Sequence, residues 1–430
     1  MDLKPTKPLS GFIELLPAQQ RCFDECAARM QNILKTFGYS RLDLPAIERA
    51  EVLTDKENWD EIETQMFLFQ KGDTKMGLRY DGTVGLARYV AGHLNGLTFP
   101  FRTYQFARNY RGERPQRGRY REFYQMDVDI LGLSELSTNY DAEIVATISK
   151  MYDSISDIVG KVKIKIGNRR FWNAMFEYLG LNEQQSREAF ILIDKQDKLK
   201  DFSEALTEVV GEKASNEINN VFSKGYESFL NKSDNLTSAI TEIQNFLKLL
   251  NETGIKNAEI DLSIMRGHAY YTGIVFEFFS VDYPDLPAIG GGGSYENLVS
   301  KFSKTKIVGV GASIGISRLL VALMENDLID LSKFEQNITA VVLPMGNDNV
   351  PYAMNILSTL RNNNIVSVAY LDADKKFKNQ IEYANKISAK FSLIIGEDEV
   401  KNNVVSIKNM QSGEQQTVGV EQAIKIIKEA

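Results

Sequence analysis

The sequence predicts an α+β domain built on an antiparallel sheet and interrupted by a helical insertion, followed by an α/β module. Residues 103–111 and 119–130 alternate like strands on either side of a loop that contains Pro115 and Gly118, a pattern typical of a β-hairpin. Residues 170–255 are helix-rich, with charged and amide side chains throughout. After residue 336, apolar strands alternate with helices, which indicates a mostly parallel sheet.

Length and composition narrow the class of protein. The 430 residues allow two or three domains, and a hydrophobic fraction of 43% is enough for a substantial core. We find no apolar run long enough for a membrane span and no signal peptide at Met1, so we expect a soluble cytoplasmic protein. The net charge of −7 argues against indiscriminate nucleic-acid binding, but it does not exclude RNA bound through local basic patches.

The N-terminal part of the chain predicts a helix and a strand. Residues 17–37 have an amphipathic helical pattern, and a strand at residues 39–44 ends at Pro45. Cys22 and Cys26 lie on the apolar stripe of the helix with no histidine nearby. This pair cannot form a four-ligand zinc site, and we expect both thiols to pack as small apolar groups.

A strand-to-helix junction lies at residues 76–90. Arg79, Asp81 and Thr83 alternate onto one face, and a helix follows with Thr83 as its cap. From the residues alone, two interpretations stay open. Asp81 and Thr83 are either turn and cap residues only, or part of a binding site.

The second strand of the hairpin has two different faces. One carries apolar residues that can pack on a core: Tyr124, Met126, Val128 and Ile130. The other carries Arg121, Phe123, Gln125, Asp127 and Asp129. Such a face is either solvated or meets a ligand, because burying unpaired polar groups is unfavourable. The hairpin also carries Arg102, Arg108, Arg111, Arg114, Arg117 and Arg119. Arginine favours planar, bidentate recognition of phosphate. The carboxylates and the aromatic ring beside these arginines add to this pattern, and together they predict a pocket for a phosphorylated purine and a cationic small molecule.

The hairpin carries a resemblance to a known family. FARNYRGERPQRGRYREFYQMDVDI resembles motif 2 of class II aminoacyl-tRNA synthetases, in the form found in histidyl-tRNA synthetases. RGHAYYTGIVFE, residues 266–277, resembles the family signature RGxxYYTGxVFE, with His268-Ala269 where Leu-Asp or Leu-Glu is common. LRYDGT, residues 78–83, resembles the family's LR-x-[DE]-x-T segment.

Other segments agree with this resemblance. The first helix and strand resemble motif 1, which forms the dimer interface in the family. VGVGASIGISRLL, residues 308–320, resembles motif 3, with Ser317 where the family often has Glu. GGGSYENL resembles GGRYDNL with Ser294 in place of Arg, and Gly290–Gly293 is either a linker or backbone pressed close to a ligand or strand. NQIEYANKISAKFSLIIGEDEV resembles a class IIa anticodon-binding domain.

The resemblance implies a fold and a division into domains. The catalytic domain would occupy residues 1–169 and 256–330 on an antiparallel sheet, with a helical insertion at residues 170–255. Residues 336–430 would form a C-terminal α/β anticodon-binding domain.

The resemblance also implies an activity. ATP activates L-histidine as the adenylate, with Mg²⁺ on the phosphates, and the histidyl group passes to the 3′ end of tRNA(His) in a homodimeric enzyme. Arg111 and Arg266 would be catalytic on the α-phosphate. The family's ATP-binding positions are Arg111, Glu113, Arg121, Phe123 and Arg318. Its histidine-binding positions are Asp81, Gly82, Thr83, Arg111, Gln125, Asp129, Arg266, Tyr270 and Tyr271. Contacts to the tRNA acceptor end would come from Arg114, Gln116 and Arg117, whereas the Mg²⁺ ligands and the tRNA identity elements are not indicated.

The sequence leaves two alternatives to this activity. A non-catalytic histidine-binding paralogue regulates ATP phosphoribosyltransferase in histidine synthesis, but such relatives lack the anticodon domain. A synthetase for another amino acid of class IIa is opposed by the RGxxYYTG signature.

Overall fold

The computed structural model describes residues 4–54, 65–116, 118–196, 199–265, 271–296 and 302–430. The chain divides into two compact units, Met1–Asp330 and Leu331–Ala430. Among the described residues, the first unit contains two sheets and the second contains one.

The first unit is built on a sheet of eight described strands and a small sheet of three. In chain order, the strands are β1 (Ser40–Arg41), β2 (Ile47–Arg49), β3 (Leu68–Lys71), β4 (Thr74–Leu78), β5 (Phe101–Tyr110), β6 (Glu122–Leu133), β7 (Val162–Asn168), β8 (Ala258–Ile260), β9 (Tyr271–Ser280), β10 (Gly290–Tyr295) and β11 (Ile307–Ile314). The large sheet has the order β1-β5-β6-β11-β10-β9-β7-β8, and the small sheet has the order β2-β4-β3. Neighbouring strands of the large sheet are antiparallel except β1 with β5 and β7 with β8.

The helices of the first unit pack around the large sheet or form the insertion. They are α1 (Pro17–Thr36), α2 (Ala50–Leu53), α3 (Thr83–Gly92), α4 (Asn139–Asp153), α5 (Ser156–Val159), α6 (Arg169–Tyr178), α7 (Glu183–Asp194), α8 (Phe202–Val210), α9 (Glu212–Lys224), α10 (Asp234–Glu252) and α11 (Ile316–Met324). Helix α1 packs against α4, and α4 and α11 lie on β11 and β6. Cys22 and Cys26 are free, buried thiols on α1, as predicted.

The predicted hairpin is present, with different strand limits. β5 and β6 pair antiparallel from Phe101 opposite Leu131 to Tyr110 opposite Glu122. The predicted strands reach Arg111 and start at Arg119, but the ladder stops at Tyr110 opposite Glu122. Beyond it, the N–H groups of Gly112 and Arg121 donate to carbonyl oxygens outside the hairpin, those of Gln65 and Gly11. The strand predicted at residues 39–44 is also shorter, since only Ser40 and Arg41 pair with β5.

Alternation along β6 separates the core from the opposite face of the sheet. Met126, Val128 and Ile130 are fully buried under the helices, as predicted from the period of two residues. The polar residues between them lie on the other face, toward a cavity. This face therefore holds the residues that the sequence singled out for binding.

The insertion consists of α6 to α10. Helix α6 is capped by Asn168, whose side-chain oxygen accepts from the backbone N–H of Phe171 at 2.9 Å. Trp172 is buried in the insertion, and its indole N–H donates to the carbonyl oxygen of Leu262 at 2.8 Å. The insertion is thus tied by a buried hydrogen bond to the segment that follows β8.

The second unit has a mixed sheet covered by helices. Its strands are β12 (Ala340–Pro344), β13 (Ser367–Ala369), β14 (Phe391–Ile395), β15 (Val404–Asn409) and β16 (Gln415–Gly419), in the order β13-β12-β14-β15-β16. Its helices are α12 (Val350–Asn362), α13 (Phe377–Lys386), α14 (Glu397–Asn402) and α15 (Val420–Glu429). The first three strands of the sheet are parallel, and the C-terminal hairpin adds two antiparallel strands. Within the described ranges, no helix has the length and apolar character needed to span a lipid bilayer.

Candidate active site

A cavity of about 320 Å³ opens on the polar face of the large sheet. Its walls come from the hairpin loop, β6, the start of α3, and the strands β9 to β11. The lining residues are Asp81, Thr83, Arg111, Glu113, Gly118, Arg119, Tyr120, Phe123, Gln125, Tyr271, Phe276, Glu277, Ala288, Ile289, Gly290, Gly291, Gly292, Ser313, Gly315 and Arg318. Many residues predicted for binding, although distant in sequence, therefore share one cavity.

Arg111 is held between two aromatic rings at the cavity wall. Its guanidinium carbon lies 4.4 Å from the ring centre of Tyr80 and 5.2 Å from that of Phe123. Its Nε donates to the carbonyl oxygen of Tyr80 at 3.4 Å. This stacking orients the guanidinium, which can present its remaining N–H groups to an anion.

Arg318 connects two walls of the cavity. Its Nε donates to the carbonyl oxygen of Gly118 at 3.1 Å, and its Nη1 donates to that of Ala288 at 2.9 Å. Burial, together with the nearby charges of Arg111 and Arg119, lowers the pKa of Arg318. Three guanidinium groups around one cavity favour an anionic ligand such as a phosphate chain.

Asp81 and Gln125 also line the cavity. Asp81 Oδ1 accepts from the backbone N–H groups of Thr83 and Val84 at 3.0 and 3.1 Å. The prediction that Thr83 caps α3 is therefore wrong, because the carboxylate of Asp81 satisfies the free N–H groups of the first turn. Gln125 Oε1 accepts from Asn109 Nδ2 at 2.5 Å, which fixes the orientation of its amide.

A side chain at position 82 would clash with buried residues of β5 and β6. A Cβ atom at this position would lie 2.5 Å from Asp127 Oδ2 and 2.9 Å from Gln105 Nε2. Its carbonyl oxygen accepts from Gln105 Nε2 at 3.0 Å. The backbone between Asp81 and Thr83 thus rests directly on the buried face of β5 and β6.

Two carboxylates lie beneath the cavity surface. Asp127 and Asp129 are only 3% and 4% exposed. Asp127 accepts from the hydroxyl of Ser313, and Asp129 accepts from the hydroxyl of Tyr295 at 2.8 Å. Burial raises the pKa of Asp127 to about 6 and that of Asp129 to about 7, since the interior disfavours the charged form.

The glycine run forms a central strand of the sheet, so the linker interpretation is wrong. Gly290–Tyr295 is β10, and it pairs with β9 and β11. A Cβ atom on Gly292 would collide with the carbonyl oxygen of Gly311 and would lie 2.8 Å from the ring of Phe276. Glycine at this position lets the backbone form part of the cavity wall.

Some predicted site residues lie elsewhere. Arg121 does not line the cavity, because its Nε donates to the carbonyl oxygen of Glu113 at 3.1 Å and its Nη1 approaches that of Ser10 at 3.5 Å. Arg114 and Gln116 are exposed on the hairpin loop. Arg117, Arg266 and Tyr270 lie outside the described residues.

Several residues of the site were missed by sequence reasoning. Tyr295, Ser313 and Glu277 lie in segments that carried the family resemblance, yet no role was assigned to them. The available signal was the pair Gly309 and Gly311. Gly309 lies opposite Tyr295, and a Cβ atom on it would lie 2.7 Å from that ring, while a Cβ atom on Gly311 would collide with Asp129. The residue pattern of a single strand does not predict how these segments pair across the sheet.

The described residues contain no group of three or more His, Cys, Asp and Glu side chains arranged to hold a metal ion. Glu113 and Glu277 are acidic residues on the cavity wall. Mg²⁺ that accompanies nucleotides is held by one or two carboxylates together with substrate phosphates, so this donor set fits such an ion.

Known protein families match almost the whole chain. The family model described as Histidyl-tRNA synthetase matches residues 11–319, and the model described as Anticodon binding domain matches residues 339–430. A histidine–tRNA ligase of Clostridium tetani is 37% identical over 445 aligned positions, covering 100% of this chain and 99% of the relative. A histidine–tRNA ligase of Finegoldia magna is 35% identical, covering 98% and 99%.

Solved structures have the same fold. The histidyl-tRNA synthetase of Nostoc sp. PCC 7120 matches with a TM-score of 0.84 and 28% identity over 100% of both chains. An ATP phosphoribosyltransferase regulatory subunit/histidyl-tRNA synthetase of Bacillus halodurans matches with a TM-score of 0.73 and 20% identity, over 88% of this chain and 97% of that one, which shows the fold alone. The predicted fold class, a class II synthetase catalytic domain with a C-terminal anticodon-binding domain, is confirmed.

Proposed function

The chain belongs to the histidyl-tRNA synthetase family, and from this premise we propose that the cavity on the large sheet is where it joins histidine to ATP. The activity is that of an aminoacyl-tRNA synthetase, the ATP-dependent ligation of histidine to tRNA. The carboxylate oxygen of histidine attacks the α-phosphorus of ATP, and the bond to the β-phosphate breaks to release pyrophosphate. A hydroxyl of the terminal adenosine of tRNA then attacks the histidyl carbonyl carbon, and AMP leaves.

The arginine-rich side of the cavity is the proposed ATP site. Arg111 donates to the α-phosphate as negative charge develops there, and Arg266 of the family signature assists it. Phe123 and Arg318 hold the adenine between their flat faces, and Glu113 accepts from its amino group. Support comes from the stacking that fixes Arg111 and from the hydrogen bonds that hold Arg318 across two walls. Such preorganised donors need little rearrangement when charge develops, and this lowers the activation free energy.

Mg²⁺ belongs to the same proposal. When bound to ATP, it neutralises charge on the phosphates. Glu277 on the cavity wall, together with the phosphates, is our candidate for holding it. The residues Arg111 and Arg318 contribute the fixed positive charge of the protein itself.

The acidic side of the cavity is the proposed histidine site. Asp81, Gly82, Thr83 and Gln125 receive the α-ammonium group, while Asp129, Tyr270 and Tyr271 recognise the imidazole ring. Asp129 acts from below the cavity surface, where Tyr295 holds it through a 2.8 Å hydrogen bond. Support for a histidine site next to the ATP site comes from Asp81, Thr83, Gln125 and Tyr271, which line the same cavity as the ATP residues.

Residues on the protein surface are proposed to contact tRNA(His) and to form a homodimer. Arg114, Gln116 and Arg117 of the hairpin loop would meet the acceptor end, and residues 336–430 would bind the anticodon. A homodimer would form through the motif 1 region. Three exposed apolar side chains on the small sheet, Ile47, Leu68 and Phe69, offer a further contact surface. A cytoplasmic location remains a prediction.

One observation carries the proposal: guanidinium groups that can bind an anion and carboxylates that can bind a cation line the same cavity. ATP–pyrophosphate exchange, measured with each of the twenty amino acids, tests it. We expect exchange with L-histidine, followed by charging of tRNA(His) when tRNA is added. Histidine binding without any exchange would favour the regulatory paralogue instead, and exchange with another amino acid would refute the substrate.

A further inference from the structure

Asp127 is a buried carboxylate directly beneath the acidic side of the cavity. It faces Gln105 across the β5–β6 ladder and is 3% exposed. A Cβ atom on Gly82 would lie 2.5 Å from its Oδ2, so this oxygen points at the backbone between Asp81 and Thr83. Its Oδ1 accepts from the hydroxyl of Ser313, and Ser313 lines the cavity.

No described residue donates to Oδ2 of Asp127. The charged groups that act on it are Asp81, Asp129, Arg79 and Arg111. Arg79 is occupied elsewhere, since its Nε donates to the carbonyl oxygen of Arg108 at 2.6 Å and its Nη1 to that of Leu44 at 2.9 Å. Arg111 stacks on its two aromatic neighbours at the cavity wall. Asp127 is therefore a buried carboxylate without an ion pair among the described residues.

Buried acceptors beside Asp127 and Gln125 add to the negative potential beneath the cavity. Gln105 Oε1 and Asn109 Oδ1 are buried acceptors to which no described residue donates. The amide nitrogens of these residues donate to the carbonyl oxygen of Gly82 and to Gln125 Oε1, and neither donates to Asp127. Buried acceptors without donors are unfavourable, and the interior strengthens their attraction for a cation. A cationic group in the cavity above them would relieve part of this unfavourable free energy.

We propose that Asp127 is a positioning residue for the α-ammonium group of the amino acid substrate, acting from beneath Gly82 and through the hydroxyl of Ser313. This inference rests on the proposed function, which assigns that group to Asp81, Thr83 and Gln125. Because Ser313 directs its proton to Asp127, its oxygen lone pairs are available to an N–H donor in the cavity. Asp127 thus adds negative charge to the ammonium site without touching the substrate.

The ionisation of Asp127 agrees with this role. Burial and the charge of Asp81 raise its pKa to about 6, whereas Ser313, Arg79 and Arg111 lower it. The group is thus mostly charged near neutral pH, and a bound ammonium group would favour the charged form further. Protonation below about pH 6 would remove the attraction for the substrate amine.

The test is Asp127→Asn, which keeps the shape and the acceptor for Ser313 but removes the charge. In ATP–pyrophosphate exchange near pH 7.5, we expect the KM for L-histidine to rise about tenfold, equivalent to about 1.4 kcal/mol. The KM for ATP should stay within about twofold of the wild-type value, because no described residue of the proposed ATP site hydrogen-bonds to Asp127. The inhibition constant of 3-(imidazol-4-yl)propionate, which has the ring and the carboxylate but no α-ammonium group, should also stay within about twofold.

Asp141→Asn is the matched control. Asp141 is another buried carboxylate, also 3% exposed, and it accepts from a single serine hydroxyl, that of Ser294, at 2.6 Å. It does not line the cavity, so its replacement should leave the KM for L-histidine unchanged. An equal rise of KM in this control would overturn the inference, since the effect would then follow from removing any buried carboxylate.

Other outcomes are equally decisive. An unchanged KM for L-histidine in Asp127→Asn, or an equal loss of affinity for the propionate, would overturn the role of Asp127 while the proposed function stands. A wild-type enzyme without histidine-dependent exchange would refute the proposed function itself. If Asp127→Asn does not fold, Ser313→Ala is the second test. In this variant the KM for L-histidine should rise about threefold, while the inhibition constant of the propionate should not change. Equal changes in both quantities would overturn the proposal.

Discussion

The hydrogen bond between Tyr295 and Asp129 leads to a prediction that couples stability to pH. Tyr295→Phe removes the hydroxyl that donates to Asp129 Oδ1 at 2.8 Å and leaves the ring in place. Tyr295 is 1% exposed and Asp129 is 4% exposed, so water does not readily replace the lost donor. We expect the variant to have a lower free energy of unfolding than the wild-type protein and a higher KM for histidine.

The size of the loss depends on the charge of Asp129. Burial raises its pKa to about 7, well above the ordinary carboxyl value of 3.8, so the folded protein binds a proton that the unfolded chain releases. This carboxylate therefore lowers the free energy of unfolding as the pH rises from about 3.8 to about 7, and the penalty is complete above that range and absent below it. Near pH 8.5 the lost bond is to a charged acceptor, worth about 1.5–3 kcal/mol, whereas near pH 5.5 it is a neutral bond worth about 0.5–1.5 kcal/mol.

Urea unfolding followed by tryptophan fluorescence, at both pH values, measures this difference. Tyr152→Phe is the matched control, because Tyr152 is a buried tyrosine whose hydroxyl has no hydrogen-bond partner among the described residues. The control should lose little stability, and equally at both pH values. A loss in Tyr295→Phe that does not change with pH would refute the reasoning, since packing rather than the charged hydrogen bond would then account for it.

Three further predictions follow from the same fold. Ending the chain at Asp330, the limit of the first compact unit, should leave ATP–pyrophosphate exchange largely intact while the rate of tRNA charging falls steeply; full-rate charging would contradict the role of residues 336–430. Arg266→Ala should lower the single-turnover rate of adenylation by about 10²–10³-fold with a smaller change in histidine affinity, as expected for a donor to developing charge; a rate within a few-fold of the wild-type value would make Arg266 a structural residue. Gly292→Ala should lower the melting temperature and raise the KM for ATP, because its Cβ would collide with the backbone of β11. Gly254→Ala is the control, because the added atom has open space around it but the residue has a positive φ of 83°. This control should lower the melting temperature without changing the KM for ATP.

The family and the order of the elements could be predicted from the sequence because both depend on local patterns. The alternation along residues 122–133 requires Met126, Val128 and Ile130 to share one face, and the structure buries all three. The run of arginines around a hairpin, with acidic residues on the same strand, indicated paired binding of anion and cation. These features follow from the period of two residues in a strand and from side-chain chemistry, which act over a few residues.

The contacts that join distant segments were decided only by the tertiary structure. Asp81 rather than Thr83 caps α3, and Arg121 supports the hairpin loop instead of lining the cavity. Ser313 and Tyr295 meet Asp127 and Asp129 because β11 lies between β6 and β10. The sequence by itself determined which residues could form a strand, a helix or a charged face. Strand order and register decide which carboxylate is buried, which is paired and which reaches the cavity. The reason is that the ionisation of a carboxylate depends on the burial and the neighbouring groups that the fold brings to it.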